Sequence, residues 1–126
     1  MTTPLVLILD DEAMIGFDLA TTLQGAGYAV SGPHANPDRA LAAIESEPPA
    51  AALLDVNLGK GRTSEAVAEA LAARGIPFAF LTGYVAVTQM IDERFAAVPR
   101  LSKPVAPDDV LRAVADMLAG AEAAAE

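Results

Sequence analysis

Short runs of apolar residues alternate along the chain with longer stretches whose apolar positions recur every three or four residues. The runs Leu5 to Leu9, Tyr28 to Val30, Ala51 to Leu54, Phe78 to Leu81 and Val98 to Leu101 are each bounded by Gly, Pro or Asp and predict five strands. Helical spacing lies between and after them: Met14, Phe17, Leu19 and Leu23; Leu41 and Ile44; Val67 and Leu71; Val110, Leu111, Val114 and Leu118. Asn36-Pro37-Asp38 supplies a cap, a proline for the first helical position and an acid for the first turn, and Pro107-Asp108-Asp109 opens the last helix similarly. Gly27 and Gly75 predict helix ends, and Thr63 or Ser64 with Glu65 a helix start. Val85 to Arg94, with β-branched residues and few strong helix formers, predicts only a short or mobile fourth helix.

Strands that are apolar throughout, separated by helices, imply a parallel sheet covered on both faces. The expected fold is a doubly wound five-stranded α/β sheet forming one domain over residues 1–126. Its core should run from about 4 to 118, and the Ala- and Glu-rich tail 119–126 should be a fraying helix end. Ligands of such sheets bind beyond the carboxyl ends of the strands, so the residues at those ends carry the chemistry.

The composition narrows the choice of partner. Seventeen acidic against eight basic residues give a net charge of −9, which repels nucleic-acid phosphates and anionic lipid surfaces. No cysteine is present, so disulfides and thiolate metal sites are excluded. The N-terminus lacks the basic and apolar regions of a signal peptide and no run is long enough to span a bilayer, so a cytoplasmic location is expected.

Strand one ends in Asp10-Asp11-Glu12, strand three in Asp55, strand four in Thr82-Gly83 and strand five in Ser102-Lys103-Pro104. Carboxylates this close stay ionised together only with a compensating cation, and an oxygen-only ligand set suits Mg²⁺. An aspartate beside that metal and a lysine is a candidate phosphoryl acceptor. The metal would neutralise the incoming charge, Lys103 would pair with a phosphoryl oxygen and Thr82 would donate a hydrogen bond.

The segments LILDDE at 7–12, LLDVNL at 53–58, FLTG at 80–83 and SKP at 102–104 together resemble the receiver domain of two-component response regulators, over Pro4 to Leu118. The resemblance implies a flavodoxin-like strand order 2-1-3-4-5 with five helices, and Asp55 as phosphoacceptor. It also implies Asp11 as direct Mg²⁺ ligand with the Asn57 backbone carbonyl, Asp10 acting through water, Thr82 as switch hydroxyl, and Lys103 followed by a cis peptide to Pro104. The phosphoryl donor would be a histidine kinase or histidine phosphotransferase. The output would be a protein partner or a drain of phosphoryl groups from a competing pathway, by a monomer or transient homodimer. Such a protein is a binding switch, enzyme-like only in its self-catalysed transfer and hydrolysis.

Two departures from that pattern stand out. Asn57-Leu58-Gly59-Lys60-Gly61-Arg62 replaces the usual loop after the acceptor strand, and its basic residues either greet phosphate or are merely solvated. Arg100 occupies the place of the usual switch aromatic, whereas Tyr84 directly follows Thr82-Gly83. The string Pro77 to Tyr84 looks like the motif of the FAT GUY subclass of stand-alone receivers, found mainly in alphaproteobacteria and linked to kinase networks that include general stress responses. There Tyr84 would report phosphorylation, the alternative being a half-buried packing residue. The single histidine, His34, follows Gly32-Pro33 in an expected loop rather than on a phosphorelay helix, and Met14 is expected in the core, the alternative being a place beside the acidic pocket.

Two other functions fit the same fold. A phosphorylation-independent adaptor would not need the intact set Asp11, Asp55, Thr82 and Lys103. A phosphatase with an aspartyl nucleophile would place a second acid two residues after Asp55, where Asn57 stands.

Overall fold

The computed structural model describes residues 3–56, 64–83 and 93–125. In chain order these form β1 (Leu5–Leu9), α1 (Ala13–Gly25), β2 (Ala29–His34), α2 (Pro37–Ser46), β3 (Ala51–Asp55), α3 (Glu65–Ala73), β4 (Phe78–Thr82), a 3₁₀ turn (Glu93–Phe95), β5 (Arg100–Ser102) and α4 (Pro107–Ala125). The strands make one parallel sheet in the order β2-β1-β3-β4-β5. Four α-helices lie among the described residues, against five expected. The segment predicted as the missing one falls outside them except for its last two residues, Glu93 and Arg94, which belong to the 3₁₀ turn.

Strand side chains point alternately to the two faces, and each face has its own core. Leu7, Leu9, Ala52, Leu54, Phe78 and Phe80 pack against Ala40 and Ile44 of α2 and Val67, Ala68 and Leu71 of α3. On the other face Val6, Ile8, Ala51, Leu53, Ala79 and Leu81 meet Leu19, Ala20 and Leu23 of α1 and Val110, Val114 and Met117 of α4. Phe95 joins Phe78 and Phe80 edge-to-face at centroid distances of 5.8 and 6.1 Å. Arg94 lies over the Phe95 ring and pairs with Glu65 and Glu69, which ties the 3₁₀ turn to α3.

Local chemistry accounts for the helix ends. Asn36 Oδ1 accepts a 2.9 Å hydrogen bond from the Arg39 N–H, and Pro37 opens α2. Gly27 and Gly75 adopt φ of +97° and +70° just beyond α1 and α3.

Several boundaries differ from expectation. β2 continues to His34, because a bulge lets two residues of β1 face three of β2 and so accommodates Gly32 and Pro33. Gly32 has φ +102°, and a Cβ there would lie 2.5 Å from the His34 nitrogen. His34 therefore ends a strand rather than sitting in a loop. β5 starts at Arg100 and not Val98, whose N–H closes a turn onto the Phe95 carbonyl. The tail remains helical through Ala125.

Met14 is not in the core: it is 80% exposed, and Phe17 is 67% exposed. The buried stripe of α1 is Gly16, Leu19, Ala20 and Leu23, a phase that turns both larger side chains outward. Gly16 sets that phase by close approach to β2. An added Cβ would stand 2.7 Å from Pro33 Cβ, part of a ring that cannot rotate away. Gly16→Ala should therefore lower stability by roughly 1 kcal/mol, since overpacking costs about 1–3 kcal/mol and alanine recovers about 1 as a helix former. A thermal melt equal to or above that of the wild type would refute the wedge.

Candidate functional site

The register of the sheet brings the chemistry-bearing residues to one edge. Leu9 pairs with Leu54, so Asp10 and Asp55 follow side by side; Asp55 pairs with Leu81, so Thr82 follows; Thr82 pairs with Ser102, so Lys103 follows. Backbone hydrogen bonds carry the ladder past the strand ends. The Asp10 N–H donates to the His34 carbonyl (3.0 Å), that of Val56 to Leu81 (3.1 Å) and that of Lys103 to Thr82 (2.8 Å). The side chains thus project from rigid backbone. The Lys103-Pro104 peptide is cis, as the resemblance implied.

Asp10 and Asp55 are 2% and 5% exposed and Thr82 is buried beside them, whereas Asp11 and Glu12 face solvent. One carboxylate oxygen from each of Asp10, Asp11, Glu12 and Asp55 lies within 4.8 Å of the others. Lys103 Nζ sits among them, 3.0 Å from Asp10 Oδ2, 3.2 Å from Asp55 Oδ2 and 3.3 Å from Glu12 Oε1. Burial alone would pull the Lys103 pKa down, but the hydrogen bond and charge of Asp10, then the charge and hydrogen bond of Asp55, outweigh it. The pKa stands above the ordinary lysine value and the ammonium stays charged. Asp10 Oδ1 accepts a 2.9 Å hydrogen bond from the Glu12 N–H. Asp10 Oδ2 is buried without a well-directed hydrogen bond, and the Lys103 ammonium balances its charge.

The donor set fits a hard divalent cation. Oxygens sharing one Mg²⁺ at ~2.1 Å stand at most about 4.2 Å apart, and the four here come within 4.8 Å of one another, so they would have to draw together to share one ion. Charge agrees: among the described residues four acids face one lysine, and Asp10 Oδ2 has capacity to spare. Asp10, Asp11, Glu12 and Asp55 are the residues that could hold it, the first and last buried and the other two exposed.

Other expected site residues fare differently. Asn57, Lys60, Arg62 and Tyr84 lie outside the described residues. Arg100 is exposed on β5. His34 contributes its backbone carbonyl, while its Nε2 lies 3.0 Å from Ser31 Oγ. Burial, then the charge of Arg39, holds its pKa below the ordinary histidine value. Sequence reasoning gave Glu12 no role of its own, yet it is the third partner of Lys103. A groove of about 830 Å³ runs from these two residues along α1, past Ile15, Leu19, Gly83 and Pro104.

No family model matches the chain. SdrG from Sphingomonas melonis Fr1, known from its solution structure, is 40% identical. The match covers 94% of this chain and 99% of SdrG with a TM-score of 0.80. The response regulator receiver domain protein (CheY-like) from Methanospirillum hungatei JF-1 is 28% identical over 96% of this chain and 98% of its own, with a TM-score of 0.79. The chain belongs to the response-regulator receiver family. The receiver is also 30% identical over 110 residues to the transcriptional regulatory protein PdtaR of Mycobacterium tuberculosis, a match covering 86% of this chain and 54% of PdtaR. It spans about half the length of the curated relatives it matches. Among its described residues no helix is long and apolar enough to cross a membrane.

Proposed function

We propose that this receiver is a phosphorylation switch in which Asp55 takes a phosphoryl group from a phosphohistidine on a kinase or phosphotransferase. The observation that carries this reading is the placement of a nearly buried Asp55 within reach of both the acidic cluster and the Lys103 ammonium. A carboxylate needs no general base. An Asp55 oxygen attacks phosphorus, the P–N bond breaks, and the imidazole leaves with the electron pair. Bound Mg²⁺ would supply neutralisation of the charge on the transferring group. Lys103 turns from the carboxylates to a phosphoryl oxygen, and the Thr82 hydroxyl donates to another. Hydrolysis by water returns Asp55 to its carboxylate, so the chain cycles as a switch without a substrate of its own to turn over.

Signalling then passes to a protein partner, or the chain drains phosphoryl groups from another pathway. The motif from Pro77 to Tyr84 supports membership of the FAT GUY subclass and a stress-response network, with Tyr84 as reporter. The intact acceptor set speaks against a phosphorylation-independent adaptor.

Intact-mass measurement after incubation with acetyl phosphate and Mg²⁺ tests the chemistry. One phosphoryl adduct is expected with metal and none with a chelator; no adduct from acetyl phosphate or from phosphorylated kinases would refute the switch. Met14 and Phe17, exposed on the first turns of α1, are read as contacts for the donor protein. Alanine at both should slow transfer from a phosphohistidine protein about tenfold or more, as loss of two apolar anchors implies, and leave uptake from acetyl phosphate unchanged. Equal slowing with both donors would count against docking.

A further inference from the structure

The Lys103 ammonium already occupies the carboxylates that a divalent cation would use. It contacts Asp10 Oδ2 at 3.0 Å and Asp55 Oδ2 at 3.2 Å, in a pocket where both acids are nearly buried. Two cations sharing those oxygens repel each other strongly, because little water intervenes to screen them. For both to be present, as Mg²⁺-dependent transfer to Asp55 requires, the ammonium needs another anchor that the metal does not claim.

Glu12 has the right position for one. Its Oε1 is already 3.3 Å from Lys103 Nζ, so the ammonium can shift toward it without losing contact on the way. Its side chain is 61% exposed and lies at the solvent edge of the cluster, outside the pair of buried acids. Its backbone is fixed as the N-cap of α1 and by the N–H bond to Asp10 Oδ1. The carboxylate therefore stands at the mouth of the groove that Lys103 also lines.

We infer that Glu12 is a positioning residue that takes over the Lys103 ammonium when a divalent cation enters the Asp10, Asp11 and Asp55 cluster, so that metal and lysine are held together rather than in competition. This rests on the Mg²⁺-dependent acceptor reading above. Glu12 touches neither phosphorus nor the attacking oxygen; it acts through Lys103. Removing it forces the two cations back onto the same oxygens and weakens metal binding.

The test is calorimetric titration of the full chain with MgCl₂, comparing wild type, Glu12→Gln and Glu12→Asp, each also carrying Lys103→Met. With Lys103 present, glutamine should weaken Mg²⁺ binding about threefold or more, the scale of coupling between neighbouring groups. Aspartate, which keeps the charge but ends one methylene short, should weaken it similarly. With Lys103→Met, all three residues at position 12 should bind Mg²⁺ within about twofold of one another, because additivity returns when the shared partner is gone. Lys103→Gln replaces Lys103→Met if that variant does not fold. Equal weakening by Glu12→Gln in both backgrounds would make Glu12 a metal ligand and overturn the inference. So would wild-type affinity in Glu12→Asp, which would make local charge sufficient, or unchanged affinity in Glu12→Gln. Wild type that takes up no Mg²⁺ would overturn the metal-dependent reading itself, and this inference with it.

Discussion

Lys103→Ala is expected to lower the stability of the metal-free receiver by about 3 kcal/mol. Only 10% of the Lys103 side chain is exposed, and its ammonium balances the fully buried Asp10 side chain. Removing one member of a buried ion pair leaves an uncompensated charge, at a cost of about 3–5 kcal/mol. The lower end applies because the pocket edge is wet at Glu12, and because neutralising the orphaned carboxyl group with a proton sets a ceiling. For an ordinary aspartate at neutral pH that ceiling is about 4 kcal/mol. Metal should narrow the gap: a cation at 100 times its Kd adds about 2.7 kcal/mol to any folded form that binds it, and the variant, with no ammonium on the same oxygens, should bind it more tightly than wild type. Urea denaturation with and without MgCl₂ reads both effects. A variant as stable as wild type, or a gap that widens with Mg²⁺, would show that Lys103 is not the counter-charge of the cluster.

Asp55→Asn is expected to abolish phosphoryl uptake altogether, with acetyl phosphate and with protein donors alike. Asparagine keeps the shape of the side chain and its place after Leu54 in β3, but the amide oxygen is a poor nucleophile and carries no charge for Lys103 to hold. The loss should leave folding intact, because the substituted side chain fits the same space and removes one negative charge from a cluster of four acids. Intact mass and a thermal melt together decide the matter. A persisting adduct in a folded variant would mean that another side chain is the acceptor.

Much of this was legible from residue order alone, for a physical reason. In a parallel sheet, a strand buried on both faces must be apolar until it leaves the core, so the first polar residue marks its carboxyl end. Asp10, Asp55 and Thr82 are placed this way, Lys103 instead by the Ser-Lys-Pro segment that ends the polar edge strand β5, and the observed register brings all four to one edge. The reasoning falters where local pattern and tertiary contact disagree. Ser31 to His34 looks like a turn because Gly32 and Pro33 break most strands; only the neighbouring β1 makes the bulge that extends β2. The phase of α1 follows Gly16, a residue with no hydrophobic signal, whose importance lies in the approach of Pro33. Met14 and Phe17 then fall outside the core although their spacing matches it. Glu12 was overlooked because its partner stands 91 residues away in the chain.

β2 and β5 form the two borders of the sheet, and each is poorly suited to receive another strand. Pro33 offers no N–H and sits in a bulge, while β5 is three residues long and presents the charged Arg100. Growth of the sheet from one molecule into the next is thereby discouraged at both borders. Contact between copies of this chain is thereby left to side chains rather than to a continuous ladder of backbone hydrogen bonds, and a fibril seeded from the folded state would first have to dismantle one of these edges.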